Sequence, residues 1–143
     1  MKEIKIESTL YVYNTVKDLP SDVQDLMNNA HQARDKAYAP YSKFNVGAAL
    51  LLDNGEVVIG SNQENASYPS GLCAERTAIY YKGAKYPEAR ILKMAITAGS
   101  QINKTTEPIP PCGACRQAIV ELSLIHISEP TRLVHSSRMP SSA

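Results

Sequence analysis

The sequence has almost no net charge, and this narrows the classes of partner. Its 143 residues include 15 Lys and Arg against 14 Asp and Glu, a formal net charge of +1. Such a balance supplies no field that would gather nucleic acid or press the chain onto an anionic membrane. The sequence also has no basic stripe and no series of stacking aromatics suited to a polynucleotide. We therefore expect a small-molecule partner, and neither nucleic acid nor a membrane.

Long apolar runs and a secretory leader are also missing. Apolar residues make up 43% of the chain, but they never run unbroken for the roughly 20 residues that a membrane span requires. Residues 1–5 alternate charged and apolar side chains and lack the continuous apolar stretch of a signal peptide. These features predict a soluble, cytoplasmic protein.

Cysteine is scarce, and its count argues against a disulfide framework. There are three cysteines, an odd number, and two of them form the C-x-x-C pair of Cys112 and Cys115. This usage suits a reducing compartment and a metal or redox role better than disulfide bonding. The length is that of one ordinary domain, which can bury a core without disulfides.

The first third of the chain predicts an extended segment followed by a helix. Residues 2–13 alternate in part and are rich in β-branched and aromatic residues, which is typical of an edge strand. Ser21 and Gln24 match the S-x-x-Q capping box, and apolar residues then recur at helical spacing. A helix over about 22–37 is predicted, stopped by Pro40.

Later segments alternate between strand and helix patterns. An apolar run over 44–52, the Asn54-Gly55 turn and a β-rich stretch over 56–60 predict a hairpin. A helix over 73–82 ending at Gly83, a strand over 91–98 and a helix over 112–122 follow. Helices interleaved with strands predict a layered α/β domain around a central sheet.

The last 22 residues, 122–143, differ in character from the rest of the chain. Leu122 through Arg132 match, residue for residue, one translated frame of a common transposase-type sequencing adapter. Ser137 through Ala143 match a piece of the paired outer primer. We therefore expect the native domain to occupy residues 1–121 and residues 122–143 to be a non-native read-through tail, excluded from fold reasoning. A natural disordered tail is the alternative.

The three cysteines are predicted to hold one metal ion. Cys112 and Cys115 open a helix directly after Pro111, and Cys73 opens another helix, so helix dipoles and free N–H groups favour the thiolates. A structural zinc site closes with four protein ligands, but outside the tail only His31 remains, which we interpret as a helix-surface residue. Three ligands leave one position open for a water, whose pKa zinc lowers to about 7.

Two neighbours of Cys73 are candidates for the chemistry around the metal. Glu75 lies two residues on, within reach of a bound water, and is predicted to be the proton shuttle that hydrolytic deamination requires. Three thiolates give the zinc site a net negative charge, and we expect the Arg76 guanidinium to donate to the sulfurs and offset it. The plainer interpretations are an exposed first-turn glutamate and a solvated arginine.

The spacing of these residues indicates a particular kind of site more specifically than any single residue does. A C-x-x-C pair alone is as typical of a redox or buried structural pair as of zinc. Here C-A-E at 73–75 is followed by P-C-x-x-C at 111–115, which is the three-cysteine form of the zinc deaminase signature.

From about Ala33 to Glu121 the chain resembles the homotetrameric cytidine deaminases. The matching segments are A-Y-A-P-Y-S-K-F (37–44), V-G-A-A (46–49), Q-E-N-A (63–66), C-A-E-R-T-A (73–78) and P-C-G-A-C-R-Q (111–117). The resemblance implies that Phe44 stacks on the pyrimidine, that Asn62 and Glu64 bind the ribose hydroxyls, and that the Ala74 backbone contacts the base. Without it, Phe44 would be interpreted as a core residue and Glu64 as a loop carboxylate.

The resemblance also implies a fold, and the chain departs from it at one end. The family has an α/β/α sandwich whose sheet is completed by two further strands and a C-terminal helix. If residues 122–143 are non-native, only three of five strands remain, and an exposed apolar edge would favour aggregation. The expected fold class is therefore a three-layer α/β/α sandwich that lacks its C-terminal strands.

The predicted function is zinc-dependent hydrolytic deamination of cytidine and deoxycytidine to the uracil nucleosides, a step of pyrimidine salvage. One alternative is a deaminase of a cytosine-containing antibiotic nucleoside such as blasticidin S, against which Asn62 and Glu64 argue as ribose ligands. A second is a non-catalytic zinc-stabilised binding module, which would require a fourth ligand. Editing of RNA or DNA is disfavoured because the chain has no basic stripe and no stacking series for a polynucleotide.

Overall fold

The computed structural model describes residues 3–5, 7, 9, 11–105, 108–124 and 132–134. The helices and strands are α1 (Ser21–Arg34), β1 (Phe44–Leu52), β2 (Val57–Ser61), α2 (Ala74–Lys85), β3 (Ile91–Ser100), α3 (Gly113–Ile119) and β4 (Arg132–Val134). Single 3-10 turns occur at Val16–Asp18 and Tyr68–Ser70, and α3 continues into a π-helical turn over Val120–Leu124.

One four-stranded sheet, in the order β2-β1-β3-β4, forms the middle layer. The predicted hairpin is confirmed: β1 and β2 are antiparallel, and Gly55 has φ +84° in the turn, a conformation that glycine adopts without strain. The long strand β3 lies antiparallel on the other side of β1, with Phe44 opposite Ser100. This full-length pairing extends β3 two residues beyond the predicted end.

A fourth strand corrects the expectation of a three-stranded sheet. The backbone of Arg132–Val134 pairs in parallel with residues 93–95 of β3. An unpaired strand edge offers a row of free N–H and C=O groups, and β4 covers part of that edge. The strand lies inside the segment predicted to be non-native, most of which is outside the described residues.

Helix α1 packs on one face of the sheet. Its buried apolar side chains meet the sheet at Ala49 and Ala95, and the shared cluster is Val23, Leu26, Met27, Ala30, Ala49 and Ala95. The helix approaches the strand so closely that a Cβ on Gly47 would lie 2.1 Å from the carbonyl oxygen of Ala30. Glycine is therefore required at this contact.

Helix α2 packs on the opposite face and completes the three layers. The larger cluster there is Ala48, Leu50, Leu52, Val58, Ala74, Ala78, Ile79, Ile91, Met94 and Ile96. Because consecutive strand residues point to opposite faces, Ala48 and Leu50 contact α2 while Ala49 contacts α1. The predicted α/β/α sandwich is confirmed.

The start of α1 differs from the prediction. Pro20, not Ser21, occupies the N-cap position, and the cap has no side-chain hydrogen bond, so the S-x-x-Q capping box is wrong. Gln24 Nε2 instead donates backward to the carbonyl oxygens of Leu19 at 2.7 Å and Lys17 at 3.1 Å. Pro20 keeps an extended backbone (φ −52°, ψ 145°) while its carbonyl oxygen accepts from Val23 N–H at 2.9 Å and Gln24 N–H at 3.0 Å, so Ser21 is the first helical residue.

The other boundaries shift for tertiary reasons. Helix α1 ends at Arg34, well before Pro40, because Tyr38 N–H donates to the carbonyl of Asn62 at 3.0 Å and joins the chain to the end of β2. Helix α2 continues through Gly83 to Lys85. The predicted N-terminal strand is wrong for residues 3–5, 7, 9 and 11–13, which adopt no regular structure.

Among the described residues, no helix combines the length and the apolar composition needed to cross a bilayer.

Gly60 positions α2, and its substitution gives a testable stability effect. A Cβ at this position would lie 2.5 Å from the Ala78 amide nitrogen and 2.6 Å from the Ala74 carbonyl oxygen. We expect Gly60→Ala to destabilise the fold by about 1–3 kcal/mol, since the helix must move away from the sheet. Gly83→Ala is the control: nothing lies within 4 Å of its Cβ position, and a helical alanine should add about 0.5–1 kcal/mol. Denaturant unfolding of both variants checks this, and equal effects would contradict it.

Candidate metal centre and active site

The site lies at the edge of the sheet where β1 begins and β2 and β3 end. Phe44 is opposite Ser100 in the register, and Asn62 follows the last residue of β2. Mutual backbone hydrogen bonds between Gln63 and Leu72, at 2.8 and 2.9 Å, then place the start of α2 beside the end of β2. The first residues of α2 therefore approach the nucleoside-binding residues predicted from the sequence.

Three sulfur atoms meet at this edge. Cys73 is the N-cap of α2, Cys112 is the N-cap of α3, and Cys115 lies in the first turn of α3. All three are free thiols whose Sγ atoms lie within 4.8 Å of one another, and Sγ of Cys73 and Cys112 are 3.7 Å apart. Two sulfurs bound to one tetrahedral zinc at 2.3 Å are separated by about 3.8 Å. The donor set therefore fits a zinc ion.

The electrostatics favour thiolate at Cys73. Hydrogen bonding from Cys115, then from Arg76 and Cys112, lowers the pKa of the Cys73 thiol to about 5. The pKa of Cys115 is raised, first because its thiol donates to Cys73 and then because it is buried. The lowered pKa of Cys73 favours a negative charge at the sulfur cluster, which suits a metal site.

Arg76 lies against the sulfur cluster. Its Nη2 is 3.8 Å from Sγ of Cys73, and this contact is the largest cause of the raised pKa of the guanidinium. Its Nε is buried and has no hydrogen-bond partner among the described residues. The side chain is thus held between helices with its charge directed at the thiolates, where charge-assisted hydrogen bonds are strongest.

Glu75 is nearly inaccessible, with 5% of its surface exposed. Burial is the first cause that raises the pKa of its carboxyl, and the negative charge on Cys73 raises it further. Such a carboxyl takes up a proton more readily than one in water, which a proton shuttle near neutral pH requires. Ala74, beside it, is fully buried.

Asn62 and Glu64 both hold the chain that leads into β1. Asn62 Oδ1 accepts from Val46 N–H at 2.7 Å, and its Nδ2 donates to the Phe44 carbonyl at 2.9 Å. Glu64 Oε2 accepts from the backbone N–H groups of Tyr41 and Ser42 at 2.9 and 3.2 Å. The two predicted ribose ligands therefore already have structural partners on both sides of Phe44.

Phe44 itself begins β1 and is half-buried. A hydrogen bond with the Ser42 side chain is the first cause that lowers the pKa of Glu64, the neighbouring carboxyl. Ser42 lies in the matching segment at 37–44, but nothing in the sequence marks it as a functional residue. Its contact with Glu64 spans 22 positions, which no local pattern predicts.

His31, interpreted from the sequence as a helix-surface residue, lies in α1. It is half-buried between α1 and β3, with Nδ1 3.4 Å from Thr97 Oγ1, and burial is the first cause that lowers its pKa. It is not part of the group of residues that can hold a metal. The structure therefore leaves the sulfurs as the ligand set among the described residues.

Sequence comparison connects these features to known proteins. The family model for the cytidine and deoxycytidylate deaminase zinc-binding region matches residues 20–128. The cytidine deaminase of Halalkalibacterium halodurans is 50% identical over 101 residues, 71% of this chain and 72% of that protein. The cytidine deaminase of Mycobacterium tuberculosis is 41% identical over 116 residues, covering 76% of this chain and 80% of that protein.

Solved structures agree with the sequence relatives. The crystal structure of cytidine deaminase from Burkholderia pseudomallei has a TM-score of 0.61 and 44% identity over 73% of this chain and 77% of that one. The Mycobacterium tuberculosis enzyme has a TM-score of 0.62 and 40% identity over 73% and 80%. The shared fold, the sulfur cluster and the family match lead to one conclusion: the chain belongs to the cytidine and deoxycytidylate deaminase zinc-binding family.

Proposed function

We propose that this protein is a zinc-dependent enzyme that hydrolyses cytidine and deoxycytidine to uridine and deoxyuridine with release of ammonia. The observation that supports this best is the meeting of three thiols within 4.8 Å at the N-termini of α2 and α3, with Glu75 buried two residues from the first ligand. Cys73, Cys112 and Cys115 would hold the zinc.

The buried carboxyl provides the proton transfers. Zinc, when bound, lowers the pKa of a water to about 7 and so supplies the nucleophile that the reaction needs at the base C4. Glu75 would accept the proton lost by that water and deliver it to the ring N3. It would then carry the proton of the new C4 hydroxyl to the amino group, which leaves as ammonia as the C4 carbonyl forms. Its raised pKa, caused first by burial, suits a group that must both take and give a proton.

The nucleoside is proposed to bind across the N-terminal end of β1. The Phe44 ring would stack on the pyrimidine, and the Ala74 backbone would contact the base. Asn62 and Glu64 would meet the ribose hydroxyls in addition to their backbone partners at Val46 and Tyr41. A carboxylate and an amide suit a pair of sugar hydroxyls, because the carboxylate accepts hydrogen bonds and the amide both donates and accepts them.

Product analysis tests this function against the antibiotic-nucleoside alternative. The zinc-loaded chain would be incubated separately with cytidine, deoxycytidine and blasticidin S, and products would be separated by chromatography with ammonia measured in parallel. We expect uridine and deoxyuridine in equal amounts to ammonia, and no conversion of blasticidin S. Conversion of blasticidin S alone would favour the alternative, and no conversion in any sample would favour a non-catalytic zinc module.

Arg76 is proposed to tune the metal site, and its removal has a predicted size. In Arg76→Met the contact with Cys73 Sγ is lost while the length of the side chain is kept. We expect zinc affinity to fall by about 10- to 100-fold, as for other groups that support metal ligands. Competition with a chelator measures this. Arg90→Met, which breaks only the surface pair with Asp53, is the control, and equal affinities in the two variants would contradict the role.

We propose a cytoplasmic homotetramer, as the resemblance to the family implies. The outer face of α2 supports an interface, because Tyr80 and Tyr81 are 45% and 50% exposed there, and exposed aromatics are enriched at protein interfaces. Light scattering of the purified chain tests the assembly: a mass near 15.6 kDa, that of one chain, would contradict it.

The division of the chain at residue 121 is likewise a proposal. The adapter-like match of residues 122–132 supports it, as does the change of composition there. Long-read sequencing of the source DNA tests it, since recovery of the same tail in frame would show that the segment is natural.

A further inference from the structure

The turn before Phe44 has an unusual backbone conformation that its surroundings maintain. Lys43 has φ 54°, and among the described residues it alone, glycines aside, has a positive φ. Residues with a Cβ adopt this region at a cost and keep it where several contacts determine it. Here Lys43 N–H donates to the Ala39 carbonyl at 3.2 Å, and Gln101 N–H donates to the Lys43 carbonyl at 2.8 Å.

Ser42 joins this turn to Glu64 through its side chain and its backbone. Its Oγ accepts from Phe44 N–H at 3.1 Å, and its own backbone N–H donates to Glu64 Oε2 at 3.2 Å. A continuous set of hydrogen bonds therefore runs from the carboxylate through Ser42 to the backbone of Phe44.

We propose that Ser42 and Lys43 are positioning residues that set the direction of the Phe44 ring toward the base of the nucleoside. Phe44 is only half-buried, so core packing alone does not fix its orientation, whereas its backbone is held by the Ser42 hydroxyl at 3.1 Å and follows the positive φ of Lys43. The inference rests on the proposed function. Neither residue takes part in proton transfer, so both should affect nucleoside affinity and leave the chemical step unchanged.

Ser42 is tested by removing and restoring its hydroxyl. We expect Ser42→Ala to raise the KM for cytidine and the Kd for uridine by about 5-fold, the loss of one hydrogen bond of ordinary strength, with kcat unchanged. Ser42→Thr keeps the hydroxyl and should restore both constants. Ser21→Ala, at a helix start without a side-chain cap, should change neither. An unchanged KM and Kd in Ser42→Ala would overturn the role of Ser42.

Lys43 is tested by a pair of variants that both remove its charge. Glycine adopts positive φ without strain, whereas isoleucine is β-branched and disfavours it. We expect Lys43→Gly to bind uridine as the unsubstituted chain does and Lys43→Ile to bind about 5-fold more weakly. Equal binding by the two variants would overturn the role assigned to the Lys43 conformation.

Two readouts separate this inference from the proposed function. Uridine binding needs no turnover, so a chain that binds uridine without deaminating cytidine would refute the proposed function. The order of uridine affinities among the Ser42 and Lys43 variants would still decide the inference. Amide hydrogen exchange at Phe44 needs no nucleoside at all. Faster exchange in Ser42→Ala than in Ser42→Thr supports the inference, and equal exchange in the two overturns it.

Discussion

Glu75→Gln is expected to lower kcat for cytidine by roughly 10³-fold, within the range that a positioned general acid–base contributes. Glutamine keeps the size and hydrogen-bonding capacity of the side chain, which has 5% of its surface exposed, but it cannot accept the proton from the water or give one to the ring N3. The three thiols are untouched, so zinc content should stay at the level of the unsubstituted chain. Steady-state kinetics and metal analysis of the same samples measure both quantities.

The matched control for this prediction is Glu88→Gln. Glu88 lies in the exposed turn after α2, and its substitution by glutamine removes the same charge. It should alter neither kcat nor zinc content. If Glu75→Gln retained full turnover, another group would have to move the proton, and the assignment of Glu75 would be wrong.

Cys112→Ala is expected to abolish zinc binding and, with it, all turnover. Two thiols remain in that variant, whereas zinc in proteins is held by at least three ligands with an open position in catalytic sites. The exposed position of Cys112 makes it the best ligand to remove, because the change leaves no buried cavity. Cys115 is fully buried, so its truncation would combine loss of a ligand with loss of packing.

Zinc per chain, measured by atomic emission, and circular dichroism on the same sample decide this prediction. We expect the spectrum of Cys112→Ala to match that of the unsubstituted chain without zinc. Ser70→Ala, an exposed change in the turn before Cys73, is the control and should keep its zinc. A Cys112→Ala variant that retained both zinc and activity would contradict the ligand assignment.

Much of the site could be predicted because the three cysteines that could hold a metal ion lie in short local patterns. C-A-E and P-C-x-x-C each place thiols at a helix N-terminus, and both helices do begin there, with Cys73 and Cys112 as N-caps. The bounds of β1 were also predictable, since an apolar run followed by Asn54-Gly55 leaves little freedom for a hairpin.

The features that the sequence did not predict depend on contacts distant in the chain. Pro20 is the N-cap residue in place of Ser21. Helix α2 continues through the exposed Gly83 to Lys85, and Tyr86, directly after it, packs against the core cluster. Strand β4 pairs with β3 about 40 residues away. It was not predicted because it lies within residues 122–143, which the sequence indicated to be a non-native tail.

The turn before Phe44 was not predicted because its contacts also join residues that are distant in the chain. In the sequence, Ser42 is an ordinary loop serine. Only the fold brings Glu64, 22 positions further on, into hydrogen-bond contact with it. A positive φ at Lys43 carries no sequence signal either, since glycine or asparagine usually marks such a position. Positions of this kind are found from hydrogen bonds and dihedrals.

The most direct test of the account is zinc-dependent turnover of cytidine by this chain. Loss of cytidine absorbance would be followed on the purified protein, after removal of metal with a chelator, and after addition of Zn²⁺ to the depleted sample. We predict that depletion abolishes turnover and that Zn²⁺ restores it, with uridine and ammonia formed in equal amounts. A folded, zinc-replete chain that converts neither cytidine nor deoxycytidine would contradict the account.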